Sequence, residues 1–191
     1  MSPRKLEIFQ TALSLMKSKG YANTTMRDIA SAVNMEAASL YNHIASKEDL
    51  LAITCFDLAD QFEKGILEIN DIYFNAKEKL KKAIESHIRI LTQDLNASYV
   101  FIHEWRNLGE NALAEFIRRR DLYEKEFRDI LFLGEKEGTF TDVDEKFVVI
   151  TILSSLNSTI EWYKPNGQLS PKDVSNKLSD FILNGLLNSQ A

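Results

Sequence analysis

Residues 24–51, TTMRDIASAVNMEAASLYNHIASKEDLL, decide how this chain folds. Ile29 and Ala30 put aliphatic and alanine-sized side chains where one helix must pack closely on another, and Val33 continues the buried face. Asn34 follows, a residue that tolerates left-handed backbone geometry and so suits a tight turn. Between about Glu36 and Asn42 there is room for one very short helix, anchored by Leu40. Helix, tight turn and short second helix make a helix-turn-helix pattern, in which the second helix buries one face and leaves its N-terminal part outward. Tyr41, His43 and Lys47 cluster at the end of that helix, and Ser46, with Asp49 three residues on, opens the next one as a cap.

Outward from this segment the period stays near that of a helix. Gly and Pro number only seven and three, and no stretch alternates with period two for long, so the fold class is all-α. Ser2-Pro3 supplies a cap and a first-turn proline for a helix whose stripe reads Leu6, Phe9, Leu13 and Met16, ended by Gly20 after Lys17 and Lys19. A long helix runs from Ser46 towards Ile69. After the Asn70–Asn75 break come helices over about Ala76 to Asp94, Tyr99 to Trp105, Glu110 to Lys136 and Asp144 to Tyr163. Lys164-Pro165-Asn166-Gly167 is a turn, and Ser170-Pro171 starts the last helix, to about Leu187. The expectation is about nine helices in two parts, a helix-turn-helix domain over 1–47 and a larger helical domain over 48–191.

Composition excludes several classes. Of 191 residues, 45% are hydrophobic and 27% charged, the balance of an ordinary globular chain and not of a disordered or membrane-spanning one. The N-terminus lacks an export signature, so a cytoplasmic location is expected. The single cysteine, Cys55, lies among apolar residues and reads as core filler. There is no glycine-rich phosphate loop, no H-E-x-x-H, no Gly-x-Ser-x-Gly and no metal-ligand cluster, and His43, His87 and His103 are scattered. Neither catalysis nor a cofactor or metal is expected. Net charge is −5, yet residues 1–50 carry six Lys/Arg against five acids while the remainder is acidic, a distribution that permits nucleic-acid binding without demonstrating it.

The decisive segment closely resembles the TetR family of transcriptional regulators. Thr25, Ile29, Ala30, Leu40, Tyr41, His43, Lys47, Glu48, Leu50 and Leu51 match the family pattern. The departures are Val33-Asn34-Met35-Glu36, where Ala-Gly-Val-Ser is usual, and Ile44 for Phe. Asn34 preserves the turn, and Met35 and Ile44 preserve burial. Glu36 puts an acid where a small hydroxyl usually caps the recognition helix: it complements the helix dipole and would repel a nearby phosphate. The resemblance implies that Thr25, Tyr41, His43 and Lys47 contact phosphates, and that Arg27, Ala37, Ala38, Ser39 and Asn42 lie where bases are read. Arg27 suits guanine and Asn42 adenine, while the alanines would touch only thymine methyls. Structural roles stand beside these: Tyr41 as part of the core, His43 as a cap, Arg27 in an ion pair with Asp28 or another acid.

Beyond residue 50 the resemblance is weaker. A palindromic operator read by one short helix per chain requires a two-fold homodimer. Small residues let helices approach closely, and a four-helix interface would use Ile152, Leu156 and Ile160 with Leu178, Phe181, Ile182 and Gly185, where the alternative is burial within one chain. Phe101, Trp105, Arg106, Phe116, Arg120, Tyr123, Phe127, Asn157 and Trp162 are candidates to line an apolar ligand pocket, where the alternative is plain core or, for Arg120, a solvated helix face paired with acids such as Glu124. The run Glu137-Gly138-Thr139-Phe140 and the later Trp162-Tyr163-Lys164-Pro165 are similar to family members that respond to acyl-CoA thioesters. The function expected is a repressor, released from double-stranded operator DNA by a small apolar effector such as an acyl-CoA. The alternative is a helical protein–protein adaptor that has lost DNA binding.

Overall fold

The structure is a computed structural model and describes residues 2–187. Those residues are helical apart from turns and one isolated antiparallel bridge between Phe140 and Leu187. In chain order the helices are α1 (Pro3–Lys19), α2 (Met26–Ala32), α3 (Ala37–Leu40), α4 (Lys47–Asp71), α5 (Ala76–Gln93), α6 (Leu95–His103), a 3-10 turn (Trp105–Asn107), α7 (Glu110–Lys136), α8 (Glu145–Asn157), α9 (Thr159–Trp162) and α10 (Pro171–Leu186). Among the described residues no helix is long and apolar enough to cross a membrane.

Two compact units divide the chain, each assembled from two stretches: Met1–Leu58 with Asp94–Ile117, and Ala59–Gln93 with Arg118–Ala191. The first is built on Ile8, Leu13 and Met16 of α1, Ile29 of α2, Leu40 of α3, and Leu50, Leu51 and Cys55 of α4, closed by Val100, Leu108 and Phe116. Leu6 was expected on the α1 stripe but is 48% exposed. The buried line is Ile8, Phe9, Ala12, Leu13 and Met16, and Leu6 sits past its edge in the first turn. Burial pushes the Cys55 thiol up to about 12, so it is an inert core residue.

In the second unit Leu80, Ile84, Ile88 and Leu91 line the inner face of α5 at spacings of four and three, and all are fully buried. α10 packs along α5. Its inward stripe is Val174, Ser175, Ser179, Leu183 and Leu186, and the two serines keep the helices close. Gly134 lets the Phe140 ring lie on the α7 backbone: a methyl there would come within 2.1 Å of that ring. Gly138, at φ 71°, turns the chain out of α7. The Glu137 carboxylate accepts the Ala76 N–H at 3.0 Å, and the Thr141 N–H bonds the Leu186 carbonyl at 2.9 Å. The Glu137–Phe140 run is therefore structural, tying the end of α7 to α5 and α10.

The helix expected over Asp144–Tyr163 is two helices, broken at Ser158. Thr151, Ser155 and Ser158 each turn a hydroxyl back onto a carbonyl three or four residues earlier, at 2.8 to 2.9 Å. Such back-bonding competes with the helix ladder and bends it.

Candidate nucleic-acid interface

Local chemistry fixes the helix-turn-helix. Thr25 caps α2 in a reciprocal box: its hydroxyl oxygen accepts the Asp28 N–H at 3.1 Å, and Asp28 Oδ2 accepts both the Thr25 N–H at 2.8 Å and its O–H at 2.6 Å. These hydrogen bonds from Thr25, aided by Lys19, hold the Asp28 carboxyl below the usual carboxylate range. Asn34 adopts φ 52°, the left-handed turn its sequence promised. Around it the Met35 N–H reaches the Ala30 carbonyl at 2.8 Å, and Arg4 takes up the Val33 carbonyl at 2.7 Å. The helix end is thus satisfied and docked onto α1.

α3 is a single turn held from below by Leu40 and from its far end by Ile44, which are 0% and 3% exposed. Its outer side carries Ala38, Ser39, Tyr41 and Asn42, all exposed, with Ala37 and His43 half-buried. Glu36 stands before α3 without making a side-chain cap. Arg27 projects from α2 into solvent; the acid beside it, Asp28, pairs with Lys19 at 3.6 Å. Tyr41, Asn42 and His43 border a shallow concavity of about 460 Å³ that also takes in Lys5 and Ile53. Lys47 differs from this open group. Its ammonium donates to the Tyr21 carbonyl at 2.7 Å and lies 4.1 Å from the centre of the Tyr21 ring. Burial, then the Glu48 and Glu104 carboxylates, push the Tyr21 phenol above its ordinary pKa. The arrangement is a short rigid helix presenting small and polar side chains with a cation at its foot, the shape and chemistry that enter a major groove.

Residues 8–52 match the family model of bacterial regulatory proteins of the tetR family, and residues 74–186 match the tetracyclin repressor-like C-terminal domain. The chain belongs to the TetR family. The HTH-type transcriptional repressor KstR2 of Mycolicibacterium smegmatis is 27% identical over 189 residues, covering 98% of this chain and 92% of that protein. The solved structure of the ketosteroid regulator KstR2 of Mycobacterium tuberculosis superimposes with a TM-score of 0.92 at 24% identity, over 99% of this chain and 97% of the other. AibR in complex with isovaleryl coenzyme A and operator DNA superimposes at 0.78 with 27% identity, over 96% and 98% of the two chains. This chain is accordingly a TetR-family helix-turn-helix transcriptional regulator, and its KstR2 relatives are repressors, not enzymes.

In this TetR-family chain the expected pocket residues fall into two aromatic clusters, one in each unit. In the first, Phe116 stacks on Trp105 and meets Phe101 edge-on, at 5.5 and 5.3 Å between ring centres, with Arg106 over the Trp105 ring at 4.2 Å. In the second, Tyr123 lies against Phe127 and Phe62 at 5.3 and 5.4 Å. There Tyr123 Oη and Asn157 Oδ1 bond the two nitrogens of His87 at 3.0 and 3.1 Å. Arg120 and Trp162 belong to neither cluster. Arg120 faces out and pairs with Glu124 at 3.7 Å, and Trp162 is 47% exposed.

The expected dimer residues also divide. Ile152, Leu156 and Ile160 are at most 5% exposed within the single chain, so they are core and not contact surface. The outward line on α8 is instead Phe147, Ile150, Thr151 and Ser154. Sequence reasoning missed these because α8 is apolar on both sides, and periodicity alone does not say which side faces the protein's own core. On α10, Phe181 is 79% exposed, Gly185 is open, and Leu178 and Ile182 are half-buried.

Proposed function

We propose that this protein is a cytoplasmic repressor that binds palindromic operator DNA as a homodimer and is released by a small apolar effector, with coenzyme A thioesters the first class to try. One observation carries the DNA reading. Arg27, Ser39, Tyr41 and Asn42 point outward from a locked helix-turn-helix, exposed and, among the described residues, without side-chain partners of their own. Polar side chains so placed are available to a duplex. In this reading Arg27, Ala37, Ala38, Ser39 and Asn42 meet bases, and Thr25, Tyr41, His43 and Lys47 meet phosphates. The committed hydroxyl of Thr25 makes it the weakest donor of that set.

The dimer is assigned to the outward faces of α8 and α10, through Phe147, Ile150, Leu178, Phe181, Ile182 and Gly185. The effector class is supported by the acyl-CoA complex of AibR and by the two aromatic clusters. A ligand able to release DNA must bind the two conformations with different affinity.

The test is selection of duplexes from a random pool by the purified protein, followed by titration of the selected duplex against salt. Expected are a two-fold symmetric consensus and a binding constant that falls steeply as salt rises. Retention of no duplex even at low salt would sink this reading in favour of a protein–protein adaptor. Medium- and long-chain acyl-CoAs are expected to raise the melting temperature and weaken duplex binding; no shift at concentrations well above micromolar would remove them as the effector class.

A further inference from the structure

We propose that Glu104 and Tyr21 are positioning residues for DNA binding, which hold the Lys47 ammonium beside the recognition helix through the backbone of one loop residue. The inference deepens the DNA-binding reading above and depends on it.

Glu104 ends α6. Its Oε1 accepts the Tyr21 N–H at 3.1 Å, across 83 residues of sequence. Its Oε2 accepts from Asn107 Nδ2 at 2.9 Å, and the same amide donates to the Glu104 carbonyl at 3.1 Å. The carboxylate is thereby fixed from both sides. The Tyr21 carbonyl accepts from Lys47 Nζ at 2.7 Å and from the Thr24 N–H at 3.2 Å. The centre of the Tyr21 ring lies 4.1 Å from the same ammonium. All of these residues belong to the first unit.

A lysine is a compact charge on a flexible four-carbon stem, and left alone it samples many positions. Here the carbonyl takes one of its three N–H donors and the ring face takes its positive field, leaving two donors for a phosphate oxygen. Lys47 starts α4, seven residues beyond Leu40, so a cation held there marks where the duplex backbone passes. Tyr21 sits in the α1–α2 loop, where its position is set by whatever holds its N–H. The group that does so is the α6 carboxylate. A shift of α6 that withdrew Glu104 would be delivered to the cation that grips DNA.

The test measures wild-type protein on a duplex it has itself selected from a random pool, by fluorescence anisotropy at several salt concentrations. Lys47→Met is expected to weaken binding about tenfold and to lower the salt slope by about one unit, the loss of one phosphate contact. Glu104→Ala should move affinity and slope in the same direction, and Glu104→Ala combined with Lys47→Met should bind no more weakly than Lys47→Met alone. Glu104→Gln keeps an acceptor for the Tyr21 N–H and should stay close to wild type. Tyr21→Leu gives a second route should Glu104→Ala fail to fold: it removes the ring and keeps the carbonyl, with a few-fold loss expected that vanishes in the Lys47→Met background. Additive losses, or a change in melting temperature with affinity and salt slope intact, would overturn the proposal. If the wild-type protein selects no duplex at all, the DNA-binding reading itself falls, and this inference with it.

Discussion

His87 offers a quantitative check on the interior of the second unit. The imidazole is 3% exposed, lies 4.7 Å from the Phe62 ring, and has both nitrogens hydrogen-bonded inside the protein. Burial drives its pKa down from 6.5 to about 4, with the Asn157 bond opposing weakly. The folded state thus keeps His87 neutral over a range in which the unfolded chain takes up a proton. Stability is complete above pH 6.5, falls as pH drops, and stops responding to this group below about pH 4. The slope across that window is about 1.4 kcal/mol per pH unit, so the total is roughly 3 kcal/mol. The perturbation is His87→Gln, which keeps one donor and one acceptor and does not titrate. Denaturant unfolding of both proteins is measured from pH 7.5 to 4. The carboxylates titrate alike in each and cancel in the difference. The wild-type stability relative to the variant should shrink by about 3 kcal/mol over the window. A difference independent of pH, or a His87 imidazole resonance titrating near 6.5 in the native state, would refute the burial argument.

Three further outcomes are expected. Leu40→Ala should cost about 3 kcal/mol in unfolding free energy, because a fully buried anchor is lost, and should abolish duplex binding at temperatures where circular dichroism still shows a folded chain. Gly134→Ala should destabilise by about 1–3 kcal/mol, since its methyl would displace the Phe140 ring; an unfolding curve equal to that of the wild type would contradict the packing. Phe181→Asp should leave the chain folded and shift sedimentation from dimer to monomer, given a ring already 79% exposed in the single chain. A persistent dimer would move the interface elsewhere.

Signals that act within a few residues were legible before any coordinates. Ser2 with Pro3, Ser46 with Asp49 and Ser170 with Pro171 all open helices. Asn34 takes the left-handed turn and Leu40 is fully buried. One such local signal was present and unread. Thr25-x-x-Asp28 is itself a capping box, which commits the Thr25 hydroxyl and takes Asp28 away from Arg27.

The helix-turn-helix was determined by the sequence alone because caps, a turn residue and one buried leucine specify it over fewer than thirty residues. Three things were decided only by the tertiary structure: which apolar stripe of α8 and α10 turns inward, what holds Lys47, and what the buried imidazole of His87 bonds. Ile152 and Phe147 are both apolar on one helix, and only the position of the neighbouring helices makes the first core and the second surface. Glu104 lies 83 residues from Tyr21, and Asn157 lies 70 from His87. Helical periodicity reports which residues share a face, and it carries no information about which distant face will be packed against it.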